Sequence, residues 1–239
     1  QMVNPEITPE TIAEDPVSVV LNRLDQGLIC GSHAIAQPQD LFFQEGDHSR
    51  KNAKGWDITD APTVELMELE RQHTVHQQWH AMPIIAGFKG ASLPARWVIN
   101  PATDDEQVGQ VSITSEAQVE AAMVAAPLGH QQWLEMPIEE RVACFDKVAD
   151  LYEANATELF AILARESGKT WMDAVGELRE AVDFARFYAQ EMAADPQNQG
   201  IGIVSCISPW NFPLAIFSGQ VFAALAAGNV VLAKPASQT

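Results

Sequence analysis

Between residues 201 and 233 the sequence changes its hydrophobic period twice, and that change restricts the fold more than any other feature. Residues 201–207 form a nearly continuous apolar run of strand length, residues 214–227 an apolar helix closed by Gly228, and residues 230–233 a second apolar run. Short apolar runs bounded by turn residues read as strands buried on both faces, so the segment is a β-α-β unit. Crossover geometry makes its two strands parallel, and ligands of such sheets bind beyond the carboxyl ends of the strands. The fold class is α/β.

Upstream, the pattern divides near Arg96. Residues 1–96 are irregular, with scattered Pro, Gly, Gln and His, and read as a connector with one helix over residues 62–79, where Val64, Met67, Val75 and Trp79 recur at helical spacing until Met82-Pro83. From Trp97 a hairpin is expected, with Trp97-Val98-Ile99 as one strand, a turn at Asn100-Pro101 and Asp104-Asp105, and residues 108–113 as its return. Four helices follow. Ser115 and Gln118 form a capping box for the first, which presents Val119, Ala122 and Met123 on one face and is interrupted by Pro127. The second starts after Pro137 and buries Val142, Phe145, Val148 and Leu151. The third covers residues 157–167 with Gly168 as a left-handed cap, and the fourth covers 171–192 with Thr170 as N-cap and Asp173 at its positive end.

Charge excludes some partners. Fourteen Lys and Arg against thirty-two Asp and Glu give a net charge of -18, which repels phosphate backbones, so nucleic acid is not expected. No apolar run reaches the roughly 20 residues of a membrane span and no signal sequence opens the chain, so a cytoplasmic protein is expected. Gln1 is not a natural start and Thr239 stops just after a strand where a helix should follow, so the chain reads as a piece of a longer protein.

Chemistry is expected at the two carboxyl ends. Ser208-Pro209-Trp210-Asn211-Phe212-Pro213 follows the first strand, where the N–H groups behind Pro213 form a positive pole suited to an anion and Asn211 offers an amide to developing negative oxygen. The same residues also suit a rigid strand-to-helix turn. Lys234-Pro235-Ala236 follows the second strand, where a lysine can reach a ribose or phosphate, or simply sit solvated at a strand end.

These motifs carry a resemblance. Residues 207–214, Ala226-Ala227-Gly228-Asn229 and Lys234-Pro235-Ala236 resemble the aldehyde dehydrogenase superfamily. Ile216-Phe217-Ser218-Gly219-Gln220, residues 165–170 and residues 180–184 are similar to a narrower group, in which proline dehydrogenase is fused to L-glutamate gamma-semialdehyde dehydrogenase. The match runs from about Trp97 to Thr239, and residues around Asp15-Pro16-Val17 and 38–42 resemble the stretch joining the two enzymes.

The resemblance implies that residues 97–239 are the first part of an NAD-binding domain, with residues 1–96 connecting it to a proline dehydrogenase domain that would carry FAD. It implies that Asn211 stabilises an oxyanion, that Lys234 holds the adenosine ribose, and that Ile207, Ser208, Pro209 and Trp210 wall the NAD site, with Ala236 and Ser237 beside them. Phe212 and Glu180 would lie near the aldehyde pocket. Ser237 departs from the Glu of many relatives, which leaves NADP open. The nucleophilic cysteine would lie beyond Thr239, so this chain alone is expected to be inactive, and the intact protein to be a homo-oligomer. Two alternatives stay open: a dehydrogenase for another aldehyde, and a non-catalytic scaffold between domains.

Three other features are read as structural. Cys30, Cys144 and Cys206 lack metal-ligand spacing, and Cys206 and Cys144 are expected to be inert small hydrophobes. His73, His76 and His80 would share a solvated face of the 62–79 helix, with no metal expected. Gly200-Ile201-Gly202 precedes a strand instead of following one, so it is no dinucleotide fingerprint.

Overall fold

The computed structural model describes residues 8–27, 41–42, 50–88, 94–103 and 105–239. The chain divides into two compact units, Gln1–Gln37 and Pro38–Thr239. The first holds two short helices, α1 (Pro9–Ala13) and α2 (Pro16–Asp25). Each begins at a proline behind a side-chain cap: Thr8 accepts the N–H of Thr11, and Asp15 accepts those of Val17 and Ser18.

In the second unit the order is α3 (Ala61–Arg71), β1 (Trp79–Ala81), β2 (Ala95–Ile99), β3 (Gln107–Ser112), α4 (Glu116–Glu135), α5 (Ile138–Ala154), α6 (Ala156–Ser167), α7 (Trp171–Ala194), β4 (Ile203–Ile207), α8 (Ala215–Ala226) and β5 (Val230–Lys234). The helix expected over 62–79 ends at Arg71, and Trp79 opens a strand that pairs parallel to β3. Arg165 of α6 explains the change. Its guanidinium donates to the carbonyls of Thr74 and Gln77 at 3.2 and 2.6 Å and to Glu106 at 2.6 Å, and it lies 5.0 Å from the Trp79 ring. These contacts hold residues 74–77 as a turn against α6, in which the Thr74 carbonyl also accepts the Gln77 N–H at 3.1 Å. His73 and His76 therefore fall in turns and His80 in a strand, not on one helical face.

The 97–113 hairpin forms as expected, with β2 antiparallel to β3 and β1 added on the other side of β3. Gly109 is required there, since a Cβ would stand 2.1 Å from the Trp79 carbonyl oxygen.

α7 is the centre of the core. Its buried residues Ala174, Leu178, Ala181, Val182, Ala185, Ala189 and Met192 form the stripe that packs on α5, α6 and α8. Phe145, Phe160, Leu163 and Phe222 close around it. Arg186 projects from the same stripe into a pair of carboxylates, Asp150 at 3.1 Å and Glu153 at 3.0 Å, and donates to the Asn52 carbonyl at 3.0 Å. Burial pushes the Glu153 carboxyl up, but the Arg186 hydrogen bond, the Lys54 N–H and neighbouring cations outweigh it and hold the group below its ordinary value. Residues 52 and 53 are thereby part of this core, with Ala53 fully buried and its N–H given to Asp183 at 2.8 Å.

Some faces differ from the sequence expectation. α4 runs unbroken through Pro127, and Gln118 and Ala126 are its buried residues, whereas Val119 and Met123 are exposed. The lost ladder bond at Pro127 is offset by anchors on either side. The Ser115 capping box holds the start, and beyond the proline Trp133 Nε1 donates to Leu225 O at 2.9 Å while His130 Nε2 meets Gly228 O at 2.9 Å. On α5, Phe145 is buried as expected and Val142 and Val148 are half-buried, but Leu151 is exposed. Cys144, expected as an inert small hydrophobe, is exposed on α5.

The β-α-β unit forms with β4 and β5 parallel. The two-faced burial expected of its strands is not seen: Val204 and Cys206 turn towards the helices, while Ile203, Ser205 and Ile207 are exposed. Period two explains this, because α4 and α8 cover one face of a sheet that has two strands among the described residues. Among the described residues no helix is long and apolar enough to cross a membrane.

Candidate functional site

The register of β4 and β5 sets the site. Ile207 pairs with Lys234, and the Ser208 N–H donates to the Lys234 carbonyl at 3.2 Å, so both strands end at one level and release their turns side by side. The adjacency inferred from the sequence is therefore present. At the far side Thr239 Oγ1 reaches the Trp210 carbonyl at 3.4 Å, tying the two turns together.

Within the first turn, Ile207 and Trp210 are exposed at 65% and 58%. Ser208 is buried and its Oγ has no hydrogen-bond partner. Pro209 is half-buried, and Asn211 and Phe212 are exposed. Among the described residues the Asn211 side-chain amide makes no hydrogen bond, so both its donors are available. In the second turn Lys234 is exposed and folds back to the Pro235 carbonyl at 3.0 Å, Ala236 is half-buried and Ser237 is exposed. Glu180 is exposed on α7 and, among the described residues, makes no hydrogen bond or ion pair.

The positive pole behind Pro213 is not open to a ligand. Its first N–H groups, those of Leu214 and Ala215, donate to one carboxylate oxygen of Glu177, at 3.3 and 2.8 Å. The anion at this helix end is thus the protein's own, which corrects the sequence expectation. α8 needs it because its N-cap residue, Leu214, has no side chain able to cap. Glu177 is 2% exposed, and its other oxygen lies 3.0 Å from Lys169 Nζ. Lys169 in turn donates to the Asn211 carbonyl at 2.6 Å and stands 4.5 Å from the Phe212 ring centroid. Neither residue was singled out from the sequence. The available signal was a carboxylate at 177 on the same helical stripe as Ala174, Leu178 and Ala181, a position that otherwise demands an apolar side chain.

Thiol chemistry is not found at this mouth. Cys206 is buried one residue before it, and burial pushes its thiol up, away from the reactive thiolate. Cys144 lies on α5, which packs on α6 and α7, and Cys30 lies outside the described residues. No group of three His, Cys, Asp or Glu among the described residues is placed to hold a metal ion.

A family model described as the aldehyde dehydrogenase family matches residues 89–239. The bifunctional protein PutA of Klebsiella aerogenes is 38% identical over 237 residues, covering 96% of this chain and 18% of that protein. Among solved structures, proline utilization A from Bdellovibrio bacteriovorus superposes with a TM-score of 0.73 at 30% identity, over 82% of this chain and 22% of that one. The 1-pyrroline-5-carboxylate dehydrogenase from Thermus with bound NAD gives a TM-score of 0.70 at 28% identity, over 78% of this chain and 39% of that one. The chain spans less than a fifth of the length of the first of these relatives.

Proposed function

The chain belongs to the aldehyde dehydrogenase family, and from that premise we propose that the protein containing it oxidises L-glutamate gamma-semialdehyde to glutamate with NAD as hydride acceptor. The observation that carries this reading is the joint mouth of β4 and β5, where the free amide of Asn211 and the exposed ammonium of Lys234 emerge at one level. A similar 1-pyrroline-5-carboxylate dehydrogenase with bound NAD supports the substrate and cofactor.

The residues present fit a dinucleotide. Ile207 and Trp210 offer an exposed apolar wall, Ser208 a buried hydroxyl lacking a partner, and Lys234 an ammonium with two of its three donors unused. These residues, with Pro209, Ala236 and Ser237, would hold NAD, which supplies a hydride acceptor when bound. Ser237 brings no carboxylate to repel a ribose phosphate, so NADP is the alternative cofactor.

When a thiolate adds to the aldehyde carbon, the carbonyl oxygen takes up the electron pair, and Asn211 Nδ2 donates to that oxygen. Loss of hydride leaves a thioester that water cleaves to the carboxylate. The thiol comes from outside the described residues, since Cys206 and Cys144 are both misplaced for it. Phe212 borders the aldehyde pocket, and Glu180 lies one helical turn along α7 from Glu177, the residue that caps the Asn211 turn. A proline dehydrogenase domain bearing FAD, homo-oligomeric assembly and a cytoplasmic location belong to the same proposal.

The test uses the intact protein. Asn211→Ala should lower kcat by about 10²–10³-fold, the usual loss for one oxyanion donor, while Lys234→Ala should weaken cofactor binding by roughly tenfold or more, as expected for a charged hydrogen bond. Unchanged kcat in Asn211→Ala would refute the role, and the 239-residue chain alone should form no NADH.

A further inference from the structure

We propose that Lys169 and Glu177 form a clamp that positions the Asn211 amide; this rests on the oxyanion role given to Asn211 above. Both are positioning residues, because neither is placed to touch substrate and each acts through the turn it holds.

The turn needs such a clamp. Asn211 sits between Pro209 and Pro213, its amide is without a partner among the described residues, and the helix behind it has no cap from its own sequence. What fixes residues 211–215 comes from the start of α7. Lys169, just before the helix, grips the Asn211 carbonyl at 2.6 Å, and Glu177 grips the N–H groups of Leu214 and Ala215. The two are joined to each other at 3.0 Å, with side chains 15% and 1% exposed. Both ends of the turn are therefore referred to one buried ion pair. The lysine also fixes the neighbouring aromatic ring, whose centroid is 4.5 Å from Nζ.

A buried pair of this kind is not explained by stability alone. Its desolvation cost is of the same order as its attraction, and an apolar pair of similar volume often serves as well. Its geometry is specific instead: three hydrogen bonds aimed at the backbone on either side of Pro213 set the direction of the Asn211 side chain. A displacement of about 1 Å at such a group is sufficient to cost roughly 10²-fold in rate.

Two measurements on the intact protein test this. In the first, Lys169→Met should lower kcat by about 10–10²-fold with the KM for cofactor nearly unchanged, and Lys169→Arg should restore most of it. Combined with Asn211→Ala, Lys169→Met should add no further loss, because both remove the same donor from the same oxygen. Additive losses in that double variant would overturn the clamp. In the second, hydrogen exchange should speed up over residues 208–216 in Lys169→Met and Glu177→Gln, while peptides of α5 and the second half of α7 keep their protection. Unchanged exchange over 208–216 would overturn it independently. Absence of aldehyde oxidation in the unsubstituted protein would sink the dehydrogenase reading instead, and the exchange result would still decide whether the ion pair holds the turn.

Discussion

The same substitution at two glycines, one on each of two packed helices, should stabilise the protein at one and not at the other. Gly176 lies on the exposed side of α7, where a methyl group would meet nothing within 4 Å. Replacing it with Ala therefore collects the helix-propensity gain of about 1 kcal/mol unopposed. Gly219 lies buried on α8, where a Cβ would stand 2.8, 2.9 and 3.1 Å from three atoms of the Phe184 ring. That ring has little room to yield, being stacked on Tyr188 at 6.0 Å and 13°. The same gain of about 1 kcal/mol then competes with an overpacking cost of about 1–3 kcal/mol, leaving Gly219→Ala neutral to about 2 kcal/mol destabilised. For a unit of this size each kcal/mol moves Tm by roughly 2–4 °C. Thermal and urea unfolding followed by far-UV circular dichroism should therefore place Gly176→Ala above the unsubstituted chain by about that amount and Gly219→Ala level with it or below it. Adding Phe184→Leu to Gly219→Ala should recover part of the loss, with a coupling of about 0.5–3 kcal/mol. Equal stabilisation by both alanines would refute the packing argument.

Asn229 is 5% exposed and makes three bonds, accepting the N–H groups of Ile201 and Gly202 at 2.7 and 3.1 Å and donating to the Ala224 carbonyl at 2.9 Å. Asn229→Ala should cost roughly 2–4 kcal/mol in urea unfolding, since each buried group left without a partner costs about 1–3 kcal/mol; a loss below about 0.5 kcal/mol, typical of a surface substitution, would show that water replaces the amide. Glu106 supplies a pH test: the Arg165 hydrogen bond, aided by Asn100 and Thr103, holds its carboxyl below the ordinary value against the opposing effect of burial. A depressed folded-state value means that its stabilisation is present above the unfolded carboxylate range of about 4.3 and is lost as pH falls through the folded value. The stability gap between the unsubstituted protein and Glu106→Gln should accordingly shrink on acidification, and a gap independent of pH would refute the ion pair's contribution.

What was legible in the sequence was local. The Ser115–Gln118 capping box, the Thr170 cap, the left-handed Gly168 and the strand-helix-strand rhythm after residue 200 each depend on residues a few positions apart, and each appears in the structure. What was not legible depended on distant partners. The helix expected to reach Trp79 ends at Arg71, and the segment beyond it is held as a turn by Arg165, some ninety positions later in the chain. Val119 and Met123 sit on α4 at core-like spacing but face away from the core, because the contacts of Trp133 and His130 set that helix's rotation. Periodicity gives the existence of an apolar face and not the direction in which the fold turns it.

The helix end behind Asn211 combines both kinds of information. A strand-to-helix turn ending in proline does generate free N–H groups and a positive pole, as local chemistry requires. Local sequence does not reveal who occupies that pole, because Glu177 lies 37 and 38 positions before the groups it caps, and its place on an apolar stripe marks it as buried without naming its partner. The occupant changes the electrostatics in a definite way. A helix N-terminus carries about half a positive charge, Glu177 adds one negative charge and Lys169 one positive, so the cluster keeps the pole's small positive charge while withdrawing its first N–H donors. On the proposed reading, a cofactor phosphate near this mouth would be attracted without being bound by those groups. On the same reading, and among the described residues of this mouth, the exposed Lys234 would then be the charged group left to bond that phosphate, so Lys234→Ala should weaken cofactor binding more than loss of the helix-end charge does.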